Sequence, residues 1–225
     1  MGDNLLVLAN SSLELVPEEL WKGKQVISSA NKKNKKPGQI LLDVSLHGWD
    51  MNALKDRESR GRPDIVHQCL IEAMDSPAYL DGYLDVIVEL RNAAGLLHFK
   101  RGVRLPRNYD QFKGLMEQVL TNGRAPLDNE PLIWVEKVNL NAFLNENGYS
   151  VYVLEQGGKS FSAISFPSGK LAFVVGAFQK GKIPSETLRL GPKVSLYDGR
   201  LTANAAVSLI ACLIFLKTKS SIKID

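Results

Sequence analysis

Cysteine and histidine are scarce in this sequence: 225 residues contain two cysteines and three histidines. Cys69 and Cys212 lie in separate apolar stretches, and neither has a second sulfur or a histidine at the spacing of metal ligands. We therefore expect two inert buried thiols, no covalent cysteine nucleophile and no metal. The histidines His47, His67 and His98 are scattered, so their spacing indicates neither a zinc site nor a histidine-centred triad.

The sequence also lacks a long apolar run and a basic N-terminus. The longest uncharged stretch, 201–216, is interrupted by Thr202, Asn204 and Ser208. It falls short of the roughly 20 residues that a membrane span needs, so it is predicted to be a buried helix. The first charged residue is Asp3, which does not fit the basic start of a secretory signal. These absences predict a cytoplasmic protein with no membrane partner.

The chain is large enough to bury one core, since 44% of its residues are hydrophobic, and we predict a single domain over residues 1–225. The net charge is +4 and the pI is about 9.0, which permits nucleic-acid binding without requiring it. Lysines crowd the stretch 22–36, and lysines and arginines crowd 100–113. For 22–36 a solvated loop and an RNA contact are equally compatible with the sequence.

Apolar runs and helical periodicity predict an α/β fold with a mostly parallel sheet. The run Leu171–Val175 is apolar throughout, which is typical of a parallel strand covered on both faces. The runs 83–90 and 96–103 are joined by the short segment 91–95, which predicts an antiparallel hairpin. Further strands are predicted at 5–8, 39–44, 132–135 and 150–154, and helices from Pro63 to the residues before Pro77, from Tyr109 to about Thr121, and from Thr202 to about Lys217.

Residues Gly176–Lys182 follow an apolar strand and satisfy the phosphate-loop pattern G-x-x-x-x-G-K. A phosphate loop also needs a Ser or Thr hydroxyl for magnesium and a helix that begins at once. Ile183 and Pro184 stand there instead, and the proline argues against a helix that continues from the loop. The sequence therefore argues against a nucleotide triphosphatase.

Gly176 and Gly181 instead flank the carboxyl end of a buried strand, where open α/β sheets bind ligands. Glycines there let the backbone approach a flat ligand closely. The segment Val194–Leu201 then leads into the final helix and completes the candidate site. These segments are equally compatible with tight turns that bind nothing.

Arginines mark a second candidate surface. Arg62 lies two residues before Asp64, so the carboxylate can hold the guanidinium in one orientation. Asp64 alone is favoured in a first helical turn by the helix dipole, whatever its function. Arg104 and Arg107 lie in a turn restrained by Pro106, and such rigid arginines suit phosphate recognition. Surface pairing with Asp or Glu is the alternative for these two arginines.

Together these segments resemble the small-subunit rRNA pseudouridine-N1-methyltransferases of ribosome biogenesis, a family of the SPOUT class of knotted methyltransferases. The resemblance extends from about residue 38 to the C-terminus. The matching segments are Arg62-Pro63-Asp64-Ile65 with His67-Gln68, Met74-Asp75-Ser76-Pro77, Arg104-x-Pro106-Arg107 with Phe112-x-Gly114-Leu115-Met116, Val174–Phe178 with Gly181-Lys182, and Val194-Ser195 leading to Leu201.

The resemblance implies a SPOUT-type α/β knot, with a trefoil knot in about 150–225, a hairpin-bearing insertion at about 78–107, and a homodimer. It implies S-adenosylmethionine as cofactor and small-subunit ribosomal RNA as partner. Arg62 is implied to act in catalysis and RNA binding, steadied by Asp64. Arg104, Arg107 and Gln111 are implied to bind RNA, with Gln111 at a position where some relatives carry arginine. The implied cofactor contacts are Leu154, Gly176, Gly181, Leu196, Tyr197, Asp198, Gly199, Arg200 and Leu201, although Tyr197–Arg200 departs from the family's usual run.

Our sequence-based hypothesis is methylation of N1 of a pseudouridine in small-subunit rRNA, achieved mainly by positioning. Arg62 and Asp64 orient a flipped nucleotide, and Arg104 and Arg107 hold flanking phosphates. The alternative is an rRNA-binding ribosome assembly factor whose methylation activity is dispensable. Sequence assigns no general base.

Overall fold

The computed structural model describes residues 3–91 and 94–219, in which eight strands form one mixed sheet of order β4-β5-β3-β2-β1-β7-β6-β8. The five strands β2-β1-β7-β6-β8 are mutually parallel, while β3 is antiparallel to both β2 and β5. The strands are Asn4–Ala9 (β1), Leu84–Leu90 (β2), Gly95–Phe99 (β3), Arg124–Ala125 (β4), Ile133–Glu136 (β5), Ser150–Ser160 (β6), Leu171–Gly176 (β7) and Lys193–Ser195 (β8).

Helices cover both faces of this sheet. One face packs against α3, α5 and α8, and the other packs against α6. The helices are Lys24–Lys32 (α1), Val44–His47 (α2), Pro63–Met74 (α3), Pro77–Leu80 (α4), Tyr109–Asn122 (α5), Leu140–Glu146 (α6), Ser185–Leu188 (α7) and Ala203–Thr218 (α8).

The central strands are buried on both faces. Residues 5–9 of β1 are fully buried, and β1 pairs in parallel with β2 on one side and β7 on the other. Residues 171–175 of β7 are also buried, which confirms the prediction that this uninterrupted apolar run is a covered parallel strand. The carboxyl ends of β1, β6, β7 and β8 therefore meet at one edge of the sheet.

Three predicted helices are confirmed, and their ends follow local chemistry. Pro63 stands at the first position of α3, where its missing N–H is not needed. In α5, the Asn108 side chain accepts a hydrogen bond from Gln111 N–H, and Gly123 ends the helix with φ of 79°. Thr202 precedes α8 in the capping position, but its side chain makes no capping hydrogen bond.

Residues between β1 and α3 form a layer with a small core of its own, which the sequence did not predict. Val16, Val26, Leu42 and Met51 are among its buried residues. The stretch 22–36 is mostly the helix α1 rather than the solvated loop that the sequence allowed. The helix buries only Val26 and Ala30, so few apolar residues mark its helical periodicity in the sequence.

Two buried acidic side chains attach this N-terminal layer to α5. Glu117 accepts hydrogen bonds from Lys33 Nζ at 2.5 Å, Lys35 Nζ at 2.8 Å and Leu41 N–H at 3.1 Å. Burial alone would raise the pKa of Glu117, but these donors outweigh it and lower the pKa. Asp43, which caps α2, meets Tyr109 and Lys113 of α5. The layer is thus fixed against α5, which follows the turn that contains Arg104, Pro106 and Arg107, the arginine turn.

Some predicted elements were wrong or shorter. The strand expected at 39–44 is absent: 37–39 is a 3-10 turn, and Leu41 makes only an isolated bridge with Leu15. Pro37 starts that turn, and the Asp43 side chain then starts α2. The hairpin of β2 and β3 is confirmed, but β3 ends at Phe99, and residues 92 and 93 of its connection lie outside the described residues.

Within the described residues, no helix is both long and apolar enough to cross a membrane. The strand order does not test the trefoil knot, which stays a prediction from the family resemblance.

Candidate active site

A cavity of about 870 Å³ opens at the carboxyl ends of β6, β7 and β8. Leu154, Val175 and Val194 come from the three strands, and Ala203 and Asn204 come from the start of α8. This is the edge at which open parallel sheets bind ligands, because loops there diverge from a rigid base. The predicted ligand edge of the sheet is therefore a real concavity of the size that holds a small molecule.

Glycines keep the cavity open beside β7. A Cβ atom placed on Gly176 would lie 2.8 Å from a ring carbon of Phe178 and 3.5 Å from Ile183, and both of these residues also line the cavity. Gly181 has φ of 127°, a backbone conformation that side chains strongly disfavour. Any larger residue at either position would fill ligand space or strain the loop.

The loop after β8 closes the other side of the cavity. The Ser195 hydroxyl donates a 2.7 Å hydrogen bond to the carbonyl oxygen of Tyr197, which turns the chain back on itself. A Cβ atom on Gly199 would lie 2.6 Å from the Tyr197 ring, so a side chain there would displace this ring. Tyr197 itself is 60% exposed at the mouth of the cavity.

The structure brings most of the predicted cofactor residues together. Asp198 is the exception, since it is not among the residues that line the cavity. The predicted residues that line the cavity are Leu154, Gly176, Gly181, Leu196, Tyr197, Gly199, Arg200 and Leu201.

Arg62 also reaches the cavity, together with two residues that sequence reasoning missed. Ile65 and Gln68 follow Arg62 at intervals of three along α3, and all three residues line the cavity. That spacing places them on one helix face, so the periodicity of the sequence could have identified them. Phe178, between the two predicted glycines, was missed because its ring resembles an ordinary core side chain.

The ion pair predicted between Arg62 and Asp64 is present and bidentate. Arg62 Nε donates to Asp64 Oδ1 at 2.8 Å, and Nη2 donates to Oδ2 at 2.6 Å. Hydrogen bonding to Asp64 raises the pKa of the Arg62 guanidinium. The two hydrogen bonds fix one edge of the planar guanidinium, and its remaining N–H groups can donate to a ligand in the cavity.

A second polar network lies near this ion pair, and both Tyr109 and Asp43 interact electrostatically with Arg62. The Tyr109 hydroxyl donates to Asp43 Oδ2 at 3.1 Å, and Lys113 Nζ lies 3.3 Å from the same oxygen. Burial raises the pKa of Tyr109, and the charge of Asp43 raises it further. Tyr109 therefore stays protonated at neutral pH and does not serve as a base.

The arginine turn is held against α3, close to Arg62. His67 Nε2 lies 2.7 Å from the carbonyl oxygen of Pro106, and the His67 ring stacks on Tyr109 and Phe112. These contacts attach the Pro106 backbone and the start of α5 to α3, while the rigidity of the turn stays a prediction.

The side chains of the turn itself face solvent. Arg104, Arg107 and Gln111 are exposed, and none of them lines the cavity. Arg107 Nη2 donates to Asp75 Oδ2 at 2.7 Å, which is the surface pairing that the sequence left open for it. Both groups of this pair are largely exposed, so the pair contributes little and is free to exchange for a phosphate.

Of the two thiols that were predicted to be buried, one is buried and the other is exposed. Cys69 is buried, and burial raises the pKa of its thiol to about 12. Cys212 is exposed on α8, so its prediction as a buried thiol was wrong. Its apolar neighbours lie on a helix face that the fold does not cover.

In residues 3–91 and 94–219, no cluster of three His, Cys, Asp or Glu side chains could hold a metal ion.

Known proteins are similar in sequence to nearly the whole of this chain. The model of the family described as EMG1/NEP1 methyltransferase matches residues 6–214. Ribosomal RNA small subunit methyltransferase Nep1 of Staphylothermus marinus is 37% identical over 214 residues, covering 91% of this chain and 92% of that protein. The protein of the same name from Thermococcus sibiricus is 40% identical over 210 residues, covering 90% and 93%.

A solved structure shows the same architecture. The crystal structure of Archaeoglobus fulgidus Nep1 bound to S-adenosylhomocysteine is 33% identical, with a TM-score of 0.85. The match covers 98% of this chain and 100% of that one. The fold is that of an α/β methyltransferase of the SPOUT class. Within that class, the chain belongs to the EMG1/NEP1 methyltransferase family.

Proposed function

We propose that this protein transfers the methyl group of S-adenosylmethionine to N1 of a pseudouridine in small-subunit ribosomal RNA. The observation that carries the proposal is the position of Arg62, which lines the cavity while Asp64 holds its guanidinium. Relatives named ribosomal RNA small subunit methyltransferase support the substrate class. The pseudouridine and its N1 atom come from the motif resemblance alone. Residues 1–225 are proposed to work as one domain in the cytoplasm.

The residues present fit S-adenosylmethionine. The cavity has room for a molecule of this size, and Gly176 leaves open the space beside Phe178 that a side chain would occupy. Leu154, Val194 and Leu201 supply apolar walls for a flat ring, and backbone groups of the 195–201 loop supply polar partners. A relative of the same fold was crystallised with S-adenosylhomocysteine, the product that methyl transfer leaves.

When bound, S-adenosylmethionine supplies a methyl group on a sulfonium centre. The chain's own part is to place the target nitrogen in line with that group, because positioning supplies much of the rate in such transfers. Arg62 is a permanent cation that lines the cavity, and it stabilises negative charge on a base whose N–H proton passes to solvent. Asp64 keeps Arg62 in one orientation, and Arg104, Arg107 and Gln111 hold the flanking RNA.

The proposal is tested with two RNA hairpins that differ only in pseudouridine or uridine at the target position. We expect methyl incorporation from labelled S-adenosylmethionine into the pseudouridine hairpin, and at least about 100-fold less into uridine, whose N1 atom is bonded to the sugar and carries no proton. Equal labelling of both hairpins, or labelling of uridine alone, would overturn the assignment of N1.

We also propose that α8 forms the face of a homodimer. Ala206, Val207 and Ile210 are buried against the core, yet Leu209 is 41% exposed and Cys212 is exposed on the opposite side. A helix that is apolar all round is normally covered on all sides. In a twofold dimer the same face of a second copy covers it.

Leu209→Glu is expected to weaken dimerisation by about 100-fold, because it places an unpaired carboxylate in the contact. Sedimentation equilibrium across a range of concentrations measures the shift toward monomer. Leu127→Glu is the matched control, since Leu127 is 50% exposed in the loop between β4 and β5. A wild-type protein that is monomeric at micromolar concentration, or a Leu209→Glu protein as dimeric as wild type, contradicts the proposed face.

A further inference from the structure

The short helix α2 exposes apolar side chains beside the active site. Trp49, which follows α2, is 78% exposed, and Val44 and Leu46 are 41% and 39% exposed. Tryptophan is normally buried for most of its surface, so an indole this exposed needs a reason. None of these three residues lines the cavity, and the proposed methyl transfer does not use them.

The backbone that carries Trp49 is firmly held. Trp49 N–H donates to Gln25 Oε1 of α1 at 2.9 Å, and the neighbouring Asp50 Oδ2 accepts from Val26 N–H at 2.9 Å. Each segment thus donates one hydrogen bond to the other, and the end of the α2 segment is held against α1. The indole is therefore presented on a rigid base, which lowers the entropy lost when a ligand packs on it.

This surface is continuous with the site that binds the target nucleotide. Val44 N–H donates to the carbonyl oxygen of Gly61 at 2.8 Å, and Gly61 directly precedes Arg62. Asp43, which caps α2, accepts from Tyr109 next to the arginine turn. When the target base of an RNA strand enters the cavity at Arg62, the nucleotides on one side of that base therefore pass α2.

The charge next to α2 suits a polyanion. Residues 22–36 contain six lysines and no acidic residue. Lys33 and Lys35 bind the buried Glu117, which leaves four exposed lysines to act on the surroundings. These four are Lys22, Lys24, Lys32 and Lys36.

We propose that α1 and α2 form a second RNA-contacting surface, on which Trp49 stacks against an unpaired base that flanks the target nucleotide. The inference rests on the proposed function, since it assumes that RNA enters at Arg62. Phosphates satisfy the exposed lysines, and unpaired bases offer flat faces that stack on aromatic rings regardless of sequence. RNA therefore fits both features at once.

The test compares Trp49→Ala and Trp49→Phe with wild type. Affinity is measured by fluorescence anisotropy for a target hairpin with unpaired flanks of about five nucleotides and for the same hairpin with blunt paired ends. Base stacking on an aromatic ring is worth roughly tenfold or more in affinity. We expect Trp49→Ala to bind the flanked hairpin about tenfold more weakly, Trp49→Phe to retain most of the affinity, and the blunt hairpin to discriminate less than about twofold.

Kinetic and spectroscopic measurements separate a direct contact from a structural role. Trp49→Ala should raise the KM for flanked RNA with little change in kcat, and S-adenosylhomocysteine affinity should stay as in wild type. Quenching of tryptophan fluorescence by flanked RNA should be smaller in Trp49→Phe than in wild type, because Trp21 and Trp134 remain. Leu127→Ala, which trims another exposed apolar residue at the far edge of the sheet, is the control with no expected effect.

The lysines are tested through salt dependence. Lys24→Gln with Lys32→Gln should lower the slope of log affinity against log salt by about one to two. If wild type neither binds nor methylates the hairpins, the proposed function fails. If wild type methylates them while Trp49→Ala binds flanked RNA as tightly as wild type, this inference alone fails, and a protein-binding role for the face becomes the better explanation.

Discussion

Replacing Arg62 with alanine is expected to lower the single-turnover rate of methyl transfer to a target hairpin by about 100- to 1000-fold, the usual cost of one preorganised charge-stabilising group. Arg62 lines the cavity, and Asp64 holds its guanidinium with two hydrogen bonds. The substitution removes the cation that faces the reacting base. Rapid-quench measurement with enzyme in excess over RNA isolates the chemical step from product release.

Two further variants identify the cause of that loss. Arg62→Lys keeps the charge but loses the planar fork, so it should recover only part of the rate. Arg124→Ala removes an arginine at the far edge of the sheet whose guanidinium donates to the carbonyl oxygen of Asn129, and it should react like wild type. A rate for Arg62→Ala within about threefold of wild type, with RNA at saturation, would remove Arg62 from the proposed mechanism.

Replacing Gly176 with leucine is expected to weaken S-adenosylmethionine binding by about 100-fold or more, because the added carbons occupy ligand space. A Cβ atom at Gly176 already lies 2.8 Å from Phe178, so the leucine side chain must extend into the cavity. Isothermal titration calorimetry with S-adenosylmethionine measures the loss, and thermal unfolding of the free protein confirms that the variant is folded.

Gly114→Leu is the control for this substitution. A Cβ atom on Gly114 meets nothing within 4 Å, and the residue lies in α5 away from the cavity. Its cofactor affinity should equal that of wild type. Unchanged affinity in Gly176→Leu would show that the cofactor binds elsewhere.

The Gly176 variant also separates an enzyme from an assembly factor. A protein that acts chiefly by binding rRNA should support ribosome assembly without the cofactor. A methyltransferase whose product is needed should not. The sequence alone could not distinguish these two hypotheses, because both use the same arginines.

The central sheet could be predicted from the sequence because its buried strands consist of uninterrupted apolar residues. Residues 171–175 are apolar at every position, which only a strand covered on both faces requires. The ends of helix α5 were predictable because Asn108 caps its start and Gly123 ends it. The N-terminal layer could not be read in this way. Its helix α1 buries only Val26 and Ala30, and its attachment to α5 depends on Glu117, which lies more than 80 residues from the lysines that it binds.

The candidate site was predictable where backbone chemistry limits the choice of residue. Gly176, Gly181 and Gly199 each stand where a side chain would collide or strain the chain, and glycines of this kind are visible in sequence. Phe178 could not be identified, because a phenylalanine on its own does not reveal which surface it faces, whereas Gln68 could have been found from its helical spacing to Arg62. The roles of Asp198 and Gln111 stay predictions, since Asp198 does not line the cavity and Gln111 lies exposed beside the arginine turn.

The central claim is that this cavity methylates one pseudouridine of small-subunit rRNA at N1. Mass spectrometry of nucleosides tests it most directly, using rRNA from cells that lack the protein, incubated with purified protein and S-adenosylmethionine. We predict a gain of one N1-methylpseudouridine per small-subunit RNA, with the Gly176→Leu protein producing none. A methyl group on uridine or another nucleoside, or no gain with wild-type protein that binds the cofactor, would contradict the account.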